Sequence, residues 1–214
     1  MPKISARTLE EHRAETTDRL LDAFSQLVME RGYAAVSLSD VAGRAGLART
    51  AIYNYYEDRE ALLFSWTERE VRRTLAILEE EIASVERSAD KLAAFVRLQL
   101  VDFATRHLPP GQEVIEFLRP ETYGRFMDHL RPVEEALRAI LKEGAASGEF
   151  ADIDPDRTIP MIMACIGAER APLASKRHDV EEATERVTTF LQRALAPSAA
   201  PKPRKRAPSK KQQR

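Results

Sequence analysis

A short run of polar side chains in the first quarter of the chain has the chemistry to bind nucleic acid. Arg49, Thr50 and Asn54 carry hydrogen-bonding groups that match base edges, and Tyr53 and Tyr55 add phenol hydroxyls. Such groups contact bases and phosphates in protein–DNA complexes. The alternative for Arg49 and Asn54 is an ordinary solvated helix face.

Two short helices separated by a tight turn are predicted to position these side chains. Ser37, with Asp40 three residues later, predicts a capped helix from Leu38 to about Ala45. Gly46 is expected to end this helix, and a second helix is predicted over residues 49–55. A turn of only three or four residues between two short helices is typical of a helix-turn-helix.

The segment VSLSDVAGRAGLARTAIYNYYEDREAL at residues 36–62 has a recognisable pattern of apolar, small and aromatic positions. The positions that carry it are Ser37, Leu38, Val41, Ala42, Ala45, Gly46, Leu47, Ala48, Ala51, Ile52, Tyr53, Tyr55, Tyr56, Arg59 and Leu62. With this pattern, residues 13–62 resemble the N-terminal DNA-binding domain of the TetR family of bacterial transcriptional regulators. The resemblance implies phosphate contacts from Tyr53 and Arg59. It also implies base-facing or groove-lining positions for Arg49, Thr50, Asn54 and Tyr55, with Arg49 expected to bind guanine, whose two acceptors match a guanidinium. The full predicted DNA-binding set is Ser37, Arg49, Thr50, Tyr53, Asn54, Tyr55 and Arg59.

Three positions depart from the family pattern. Ala48 stands where a capping Ser or Thr is usual, so the second helix lacks a cap that contributes about 1 kcal/mol. Ala51 replaces a frequent Thr and leaves a methyl group that can contact thymine but cannot form a hydrogen bond. Arg59 replaces the usual Lys and keeps the positive charge. For Tyr53 and Tyr56 the alternative is packing between helices. For Tyr56, in the usual Phe position, packing is as good an interpretation as contact with DNA.

The charge is distributed unevenly along the chain. The formal net charge is −1, but residues 196–214 contain seven basic and no acidic side chains, so the rest of the chain carries −8. The first sixty residues are not net basic. We therefore predict that deleting residues 197–214 weakens DNA binding and lowers its dependence on salt, because phosphate contacts release counterions. The alternative for this segment is a disordered, solubilising tail.

The apolar periodicity predicts an all-α fold of about nine helices and no strands. Helices are expected over about residues 8–31, over roughly seven turns from near Arg59, over a stripe that ends at Pro109, and over the last stretch before residue 196. Pro120 and Gly124 predict one or two short helices over residues 112–129. A clean helix is then expected from Leu130 to the Gly144 to Gly148 region. Asp154 and Pro155 are typical of a helix start, but Pro160 favours a later start with Thr158 as the cap, the alternative being a kink at Pro160.

Three regions follow from this layout: a helix-turn-helix domain at residues 1–60, a helical domain at 61–195 and a disordered basic tail at 196–214. The resemblance implies that the middle region binds an unknown small-molecule effector and dimerises. Its candidate ligand-binding residues are Trp66, Phe103, His107, Phe117, Tyr123, Phe126, Met127, Met161 and Cys165, with Met163 as a further lining residue and Arg119 and His129 as further polar anchors. Ordinary core or surface positions are the alternative for each of them.

A homodimer bound to palindromic double-stranded operator DNA is expected, because one helix-turn-helix contacts too few bases to be specific. The predicted interface uses helices over about 158–174 and 179–195, with Ile159, Ile162, Ile166, Val180, Val187, Phe190 and Leu191. Packing within one protomer is the alternative for these apolar stripes. A ligand-released repressor is the favoured function, ahead of a constitutive or architectural DNA-binding protein.

Other classes of protein find little support. The single cysteine, Cys165, cannot form an intrachain disulfide. Carboxylates and histidines around residues 107–129 lack the spacing of a metal or catalytic motif, and there is no glycine-rich phosphate loop. We therefore expect no catalytic residues, no metal and no cofactor, and keep a helical-bundle enzyme only as a remote alternative. No apolar run approaches the roughly 18 residues that span a bilayer, so a cytoplasmic protein without membrane contact is expected.

Overall fold

A computed structural model describes residues 6–105, 118 and 120–197. Over these residues the protein has no strand, two 3₁₀ segments, at Tyr33–Ala35 and Ala51–Asn54, and eight α-helices: α1 Ala6–Arg31, α2 Leu38–Arg44, α3 Arg59–Ile82, α4 Ser88–Thr105, α5 Pro120–Ser147, α6 Pro155–Gly167, α7 Arg170–Ala174 and α8 Val180–Leu195. The all-α prediction is confirmed. Within the same described residues, no helix combines the length and apolar character needed to cross a membrane.

Helix α1 ends as the sequence predicts. Gly32 has φ +77°, and its N–H donates to the Val28 carbonyl over 2.8 Å. Only glycine adopts this left-handed backbone without strain, so the chain leaves the helix here. Helix α3 is also confirmed as a long helix, and its first turn is capped by Asp58, whose side chain accepts a hydrogen bond from the Ala61 N–H over 2.8 Å.

Helix α5 differs from its prediction. Residues 120–129 were expected in one or two short helices, but they form the beginning of a continuous 28-residue helix. Pro120 is its first residue, where a missing N–H costs nothing. Gly124 lies within the helix, since one glycine costs only about 1 kcal/mol relative to alanine. Residues 112–117 and the break at Pro109 lie outside the described residues.

The start of α6 is also a correction. The helix begins at Pro155, with Asp154 as its cap, and not at Thr158. The Asp154 side chain accepts from the Asp156 N–H over 3.0 Å, and the Asp154 carbonyl accepts from the Thr158 N–H over 3.0 Å. Pro160 lies inside the helix and removes one hydrogen bond near its beginning. The predicted helix over residues 158–174 is therefore divided between α6 and α7.

The apolar side chains form two clusters. The N-terminal cluster packs α1, α2 and the start of α3 together and includes Leu20, Phe24, Val41, Ile52, Leu62 and Trp66. The C-terminal cluster joins α4 to α5, α6, α7 and α8 and includes Leu92, Phe95, Leu137, Leu141, Ile166 and Leu191. Phe126 and Leu118 belong to the N-terminal cluster although they come late in the chain. The two ends of the molecule are therefore joined by packing as well as by α3.

Most of the apolar residues predicted to form the dimer interface face the protomer's own core. Ile159, Ile162, Ile166, Val187 and Leu191 are all buried in the C-terminal cluster. Their neighbours on the opposite faces are exposed: Met161 is 68% exposed and Phe190 is 59% exposed. The expectation that the isoleucines meet a partner is corrected, because they are already covered within one protomer.

Candidate nucleic-acid interface and ligand cavity

The predicted capping box at the start of α2 is present. The Asp40 N–H donates to Ser37 Oγ over 3.2 Å, and the Ser37 N–H donates to Asp40 Oδ2 over 3.1 Å. The Ser37 hydroxyl also donates to Asp40 Oδ2 over 2.6 Å, and these hydrogen bonds lower the pKa of the Asp40 carboxyl. The exposed Ser37 therefore holds the beginning of α2 in place beside the loop that precedes it.

The turn between the two short helices depends on Gly46. This residue has φ +73°, and the following Leu47 N–H donates to the Ala42 carbonyl over 2.8 Å. Side chains rarely adopt this backbone conformation, which explains the glycine. Ala42 is fully buried, so the second segment packs closely against α2.

The second helix of the motif is shorter and tighter than predicted. Instead of an α-helix over residues 49–55, a 3₁₀ segment covers Ala51–Asn54. The Ala51 N–H donates to the Ala48 carbonyl over 2.8 Å, and the Thr50 side chain makes no capping hydrogen bond. With no capping side chain at Ala48, bonds to the third preceding residue satisfy these N–H groups, as is common at helix ends.

The 3₁₀ segment nevertheless separates an inner face from an outer one. Ile52 is completely buried in the N-terminal cluster, whereas Arg49, Thr50 and Asn54 are exposed and Tyr53 is 59% exposed. Arg49 forms no ion pair or hydrogen bond with any other described residue. These four side chains form the candidate nucleic-acid interface, as the sequence predicts.

Tyr55 lies at the edge of this interface with a partner that the sequence did not reveal. The Arg13 guanidinium lies 5.2 Å from the centre of the half-buried Tyr55 ring, and Arg13 Nη2 donates to the Asn54 carbonyl over 3.3 Å. Arg13 comes from α1, 41 residues before Asn54. No local pattern could have identified it, because the contact exists only after folding.

Arg59 lies near the interface, but its guanidinium is held against the loop that precedes α2. Its Nη1 donates to the carbonyls of Tyr33, Ala34 and Val36 over 3.4, 3.1 and 3.4 Å, and its guanidinium covers the Tyr33 ring at 4.4 Å. Arg59 thus fastens α3 to the loop before α2. Together with Ser37 and Tyr53 it surrounds one shallow surface depression.

Two other side chains near the motif belong to the scaffold. Arg44 binds Glu30 of α1 through two hydrogen bonds of 2.8 Å each, which lower the pKa of the Glu30 carboxyl. Tyr56 is buried, and its hydroxyl lies 3.2 Å from Ser65 Oγ. The packing interpretation of Tyr56 therefore describes its position, and burial raises the pKa of its phenol.

A cavity of about 280 Å³ lies between α3, α4, α5 and the α6–α7 region. Five of the residues considered in the sequence analysis line it: Trp66, Phe103, Phe126, Met127 and Met163. The remaining wall consists of Thr67, Glu70, Val71, Thr74, Gln99, Asp102, Leu130, Val133, Glu134, Gly167 and Arg170. Its size is close to the lower end of the usual range for ligand pockets.

Other predicted lining residues lie elsewhere. Met161 and Cys165 are each two residues from Met163, which places them about 200° around α6 and away from the cavity. Tyr123 is 39% exposed near the start of α5. His129 stacks on Phe64 with ring centres 5.4 Å apart. His107, Phe117 and Arg119 lie outside the described residues.

The cavity and the nucleic-acid interface share structural side chains. Trp66 lines the cavity and also packs edge-on against Phe24 of α1, with ring centres 5.7 Å apart. Phe126 lines the cavity and packs against Phe64 of α3, with ring centres 6.3 Å apart. A change in the cavity wall is therefore also a change in the packing beneath the helix-turn-helix.

Two family models match this chain. Residues 20–65 match the model described as bacterial regulatory proteins of the tetR family, and residues 85–168 match a tetracyclin repressor-like C-terminal domain. Together they cover more than half of the sequence. The chain belongs to the TetR family of bacterial transcriptional regulators. The first match contains the helix-turn-helix, and the second covers α4, α5 and α6 in full.

Individual relatives agree with the TetR assignment. An uncharacterized HTH-type transcriptional regulator of Mycobacterium tuberculosis is 34% identical over 83 residues, covering 39% of this chain and 41% of that protein. The chain thus aligns with less than half the length of this relative. The fatty acid metabolism regulator protein of Bacillus subtilis is 26% identical over 136 residues, or 63% of this chain and 70% of that protein.

Solved structures show the same TetR fold. The crystal structure of the transcriptional regulator FadR from Bacillus subtilis in complex with stearoyl-CoA superposes with a TM-score of 0.71. The superposition covers 83% of this chain and 98% of that one, at 23% sequence identity. At this identity the similarity establishes the fold of the TetR protein described here, and its ligand has to be inferred from its own cavity.

Proposed function

We propose that this protein is a homodimeric, ligand-responsive regulator that binds a palindromic operator in double-stranded DNA and is released by a small molecule in the cytoplasm. The observation that carries the proposal is the position of Trp66. This side chain lies in the cavity wall and, through Phe24, in the core that supports the helix-turn-helix. Occupation of the cavity and the orientation of the DNA-binding surface are therefore physically connected.

For DNA recognition, the exposed face of the 3₁₀ segment supplies the contacts. Arg49 has no competing partner among the described residues and is the proposed guanine contact. Thr50 and Asn54 are exposed beside it, and the exposed Tyr53 is the proposed contact to a phosphate oxygen. For Arg59 and Ser37, the hydrogen bonds to the loop before α2 and to Asp40 support a positioning role alongside the predicted phosphate contacts.

A dimer is supported by the outward faces of α6 and α8. Met161 and Phe190 are the most exposed large apolar side chains of these two helices, at 68% and 59%. Ala164 and Ala168, three and seven residues after Met161, are also exposed, and Ala194 follows Phe190 by four. Small and apolar residues on two adjacent helices suit a four-helix contact with a second copy.

Release requires that the ligand binds one conformation of the dimer more tightly than another. Helix α3 runs from the DNA-binding surface to the cavity, where Trp66, Glu70 and Thr74 lie on successive turns of its inner face. A ligand wedged against these residues shifts α3 relative to α5. The two DNA-binding segments of the dimer then no longer match successive major grooves, and the affinity for the operator falls.

The test of DNA binding is genome-wide recovery of DNA bound to the native protein in its own cells. We expect a palindromic sequence whose half-sites lie about one helical turn, roughly 34–36 Å, apart or a multiple of that distance. The same experiment with Phe190→Glu, combined with light-scattering mass measurement, tests the dimer: the variant is expected to be monomeric and to recover no palindrome. Recovery of DNA without a shared sequence would instead favour an architectural protein.

The test of ligand response is a thermal-shift screen of small molecules, followed by operator release in a gel-shift titration. A ligand that binds only the folded protein raises its melting temperature by mass action. We expect stabilising compounds to release the operator and to lose their effect when Val133 is replaced by Trp to fill the cavity. Stabilising compounds that leave DNA binding unchanged would refute the proposed regulation.

A further inference from the structure

The cavity wall is unusual in its charge. Three of its helices each supply one carboxylate, Glu70 from α3, Asp102 from α4 and Glu134 from α5, whereas Arg170 is its only cationic side chain among the described residues. The guanidinium of Arg170 lies over the Phe103 ring, 3.8 Å from its centre. The described wall therefore has a formal charge of −2 in otherwise largely apolar surroundings.

Glu134 is the carboxylate best placed to bind a ligand. It is half-buried beside Val133 and Leu130, and no described cation pairs with it. The two nearest arginines of α5 are engaged elsewhere, because Arg131 pairs with Asp128 and Arg138 pairs with Asp156 at 2.7 Å. A carboxylate in an apolar wall is costly to desolvate without a partner, and a cation from the ligand offsets that cost.

Glu70 provides the contrast within the same cavity. Its Oε1 lies 3.2 Å from Arg69 Nη2, and Arg69 also pairs with Asp22 of α1 at 2.9 Å. Part of the negative charge on this side of the cavity is thus balanced by the scaffold. Removing the charge of Glu70 would also disturb the contact between α1 and α3, which makes Glu134 the better position for a test.

A second, independent feature points to a bound molecule. Trp66 and Thr67 are 1% and 5% exposed, and Trp66 Nε1 and Thr67 Oγ1 have no hydrogen-bond partner among the described atoms. Both residues belong to the cavity wall. Buried polar groups are normally hydrogen-bonded, and an indole N–H can only donate. Both atoms are closed to solvent in the free protein, so the oxygen acceptor of a ligand reaches them only when the cavity wall shifts, as proposed for α3.

Aromatic rings complete the chemical description. Trp66 and Phe126 line the cavity together with Phe103, one face of which is already covered by Arg170. Aromatic faces attract cations, Trp most strongly, so Trp66 is the ring best suited to a ligand cation. A metal ion is a poor match, since the described residues contain no group of three or more His, Cys, Asp or Glu side chains arranged to hold one. The favoured cation is therefore organic.

We propose that this cavity binds a small organic cation: an ammonium group next to Glu134, on an apolar body that carries an oxygen acceptor. The inference rests on the proposed ligand response and names the class of molecule that produces it. The cavity of about 280 Å³ limits the ligand to a compact molecule.

The sequence offers a direct reporter, because Trp66 is the only tryptophan in the chain. Its fluorescence is followed in the full-length protein during titration with three molecules of similar shape. These are trimethyl(2-phenoxyethyl)ammonium, the neutral 3,3-dimethylbutyl phenyl ether and the anionic 4-phenoxybutanoate. We expect the cation to bind about tenfold or more tightly than the neutral ether, and the anion to bind most weakly.

The matched variants are Glu134→Gln and Glu135→Gln. Glu135 is the next residue of α5, is exposed and lies outside the cavity wall. Glu134→Gln is expected to remove about tenfold of the cation's affinity and little of the ether's, whereas Glu135→Gln leaves both unchanged. Circular dichroism establishes that each variant is folded, and the comparison of the three probes on the native protein stands without either variant.

Three results would overturn the inference. Equal binding of cation and ether, or tighter binding of the anion, contradicts a cation site while leaving ligand response intact. Loss of cation affinity in Glu135→Gln as well as in Glu134→Gln shows a general surface effect. No change in Trp66 fluorescence with any probe also rejects a cation site for this class, and the operator and thermal-shift experiments then decide the proposed function separately.

Discussion

The DNA-binding surface and the cavity are built in opposite ways. The exposed face of the first comes from a few consecutive residues, with Arg49, Thr50, Tyr53 and Asn54 within one short segment. The cavity wall is assembled from residues between Trp66 and Arg170 on several helices. The first surface keeps its polar groups in solvent. The second contains one buried and two half-buried carboxylates and two buried donors, Trp66 Nε1 and Thr67 Oγ1, that have no hydrogen-bond partner among the described atoms.

This difference separates the roles of local and distant contacts. In the helix-turn-helix, hydrogen bonds across a few residues fix the local structure, as between the backbone N–H groups and side-chain oxygens of Ser37 and Asp40 at the start of α2. In the cavity, Glu134 acquires its surroundings only when α5 packs against α3 and α4. The two regions meet at Trp66, which belongs to the wall of one and to the supporting core of the other.

The largest effect is expected at the DNA-binding surface from Arg49→Ala. Loss of a bidentate contact to guanine costs about 1–3 kcal/mol in each half-site, or about tenfold or more in affinity. Arg44→Ala is the matched control, because Arg44 is held by Glu30 in two hydrogen bonds. Fluorescence anisotropy with operator DNA measures both. Equal losses in the two variants would show that general positive charge, and not Arg49, provides recognition.

A smaller effect of opposite sign is expected in the cavity from Thr67→Val. The buried Thr67 hydroxyl has no hydrogen-bond partner among the described atoms, so its removal is expected to stabilise the folded protein by about 1 kcal/mol. Thr16→Val is the control, since the buried Thr16 hydroxyl donates to the His12 carbonyl over 2.8 Å. That variant should lose about 1 kcal/mol.

Denaturant unfolding measures the change in the free energy of unfolding for each of the two threonine variants. Opposite signs support a cavity wall that is built for a ligand at the expense of stability. If Thr67→Val is as destabilising as Thr16→Val, the hydroxyl has a partner in the free protein, and the contrast between the two regions is lost.

A backbone effect distinguishes two glycines of the helix-turn-helix. Gly46→Ala is expected to lower the free energy of unfolding by about 1 kcal/mol, because φ is +73° there. Gly43→Ala is expected to raise it by about 0.5–1 kcal/mol, because Gly43 lies inside α2 and a methyl group meets nothing within 4 Å. Thermal denaturation of both variants measures the difference, which similar melting temperatures would contradict.

The smallest effect concerns pH and the C-terminal region. Glu149 accepts hydrogen bonds from the Ser88 and Ala89 N–H groups at the start of α4, over 3.0 and 3.2 Å, and these bonds lower the pKa of its carboxyl from its ordinary value. The stabilisation is fully present above the ordinary value and disappears as the pH falls through the lowered pKa. In thermal denaturation down to about pH 3, the melting temperature of Glu149→Gln should fall less with decreasing pH than that of the native protein.

Much of the fold follows from sequence because its signals are local. Gly32 and Gly46 mark helix ends, and the apolar stripes predict α3, α4 and α8. The errors come from residues with two permitted roles. Pro120 begins a helix and Pro160 lies inside one, although a proline is as readily a sign of a break.

The two candidate sites also differ in how far local sequence signals predict them. The exposed set around Arg49 was predictable, since neighbouring small and apolar residues define which side chains point outward. The contact of Arg13 with Tyr55 was not, nor were Glu70, Asp102 and Glu134 as one cavity wall. Charged residues on amphipathic helices usually face solvent, so only the packing of three helices distinguishes these carboxylates from the rest.

The central claim is that the cavity and the DNA-binding surface are coupled through Trp66 and its neighbours. The most direct measurement is the affinity of the best ligand from the thermal-shift screen, determined by Trp66 fluorescence with and without saturating operator DNA. Linkage requires that the operator weakens ligand binding by the same factor by which the ligand weakens operator binding. We predict equal factors of about fivefold or more. An affinity for the ligand that is unchanged by operator DNA would contradict the account.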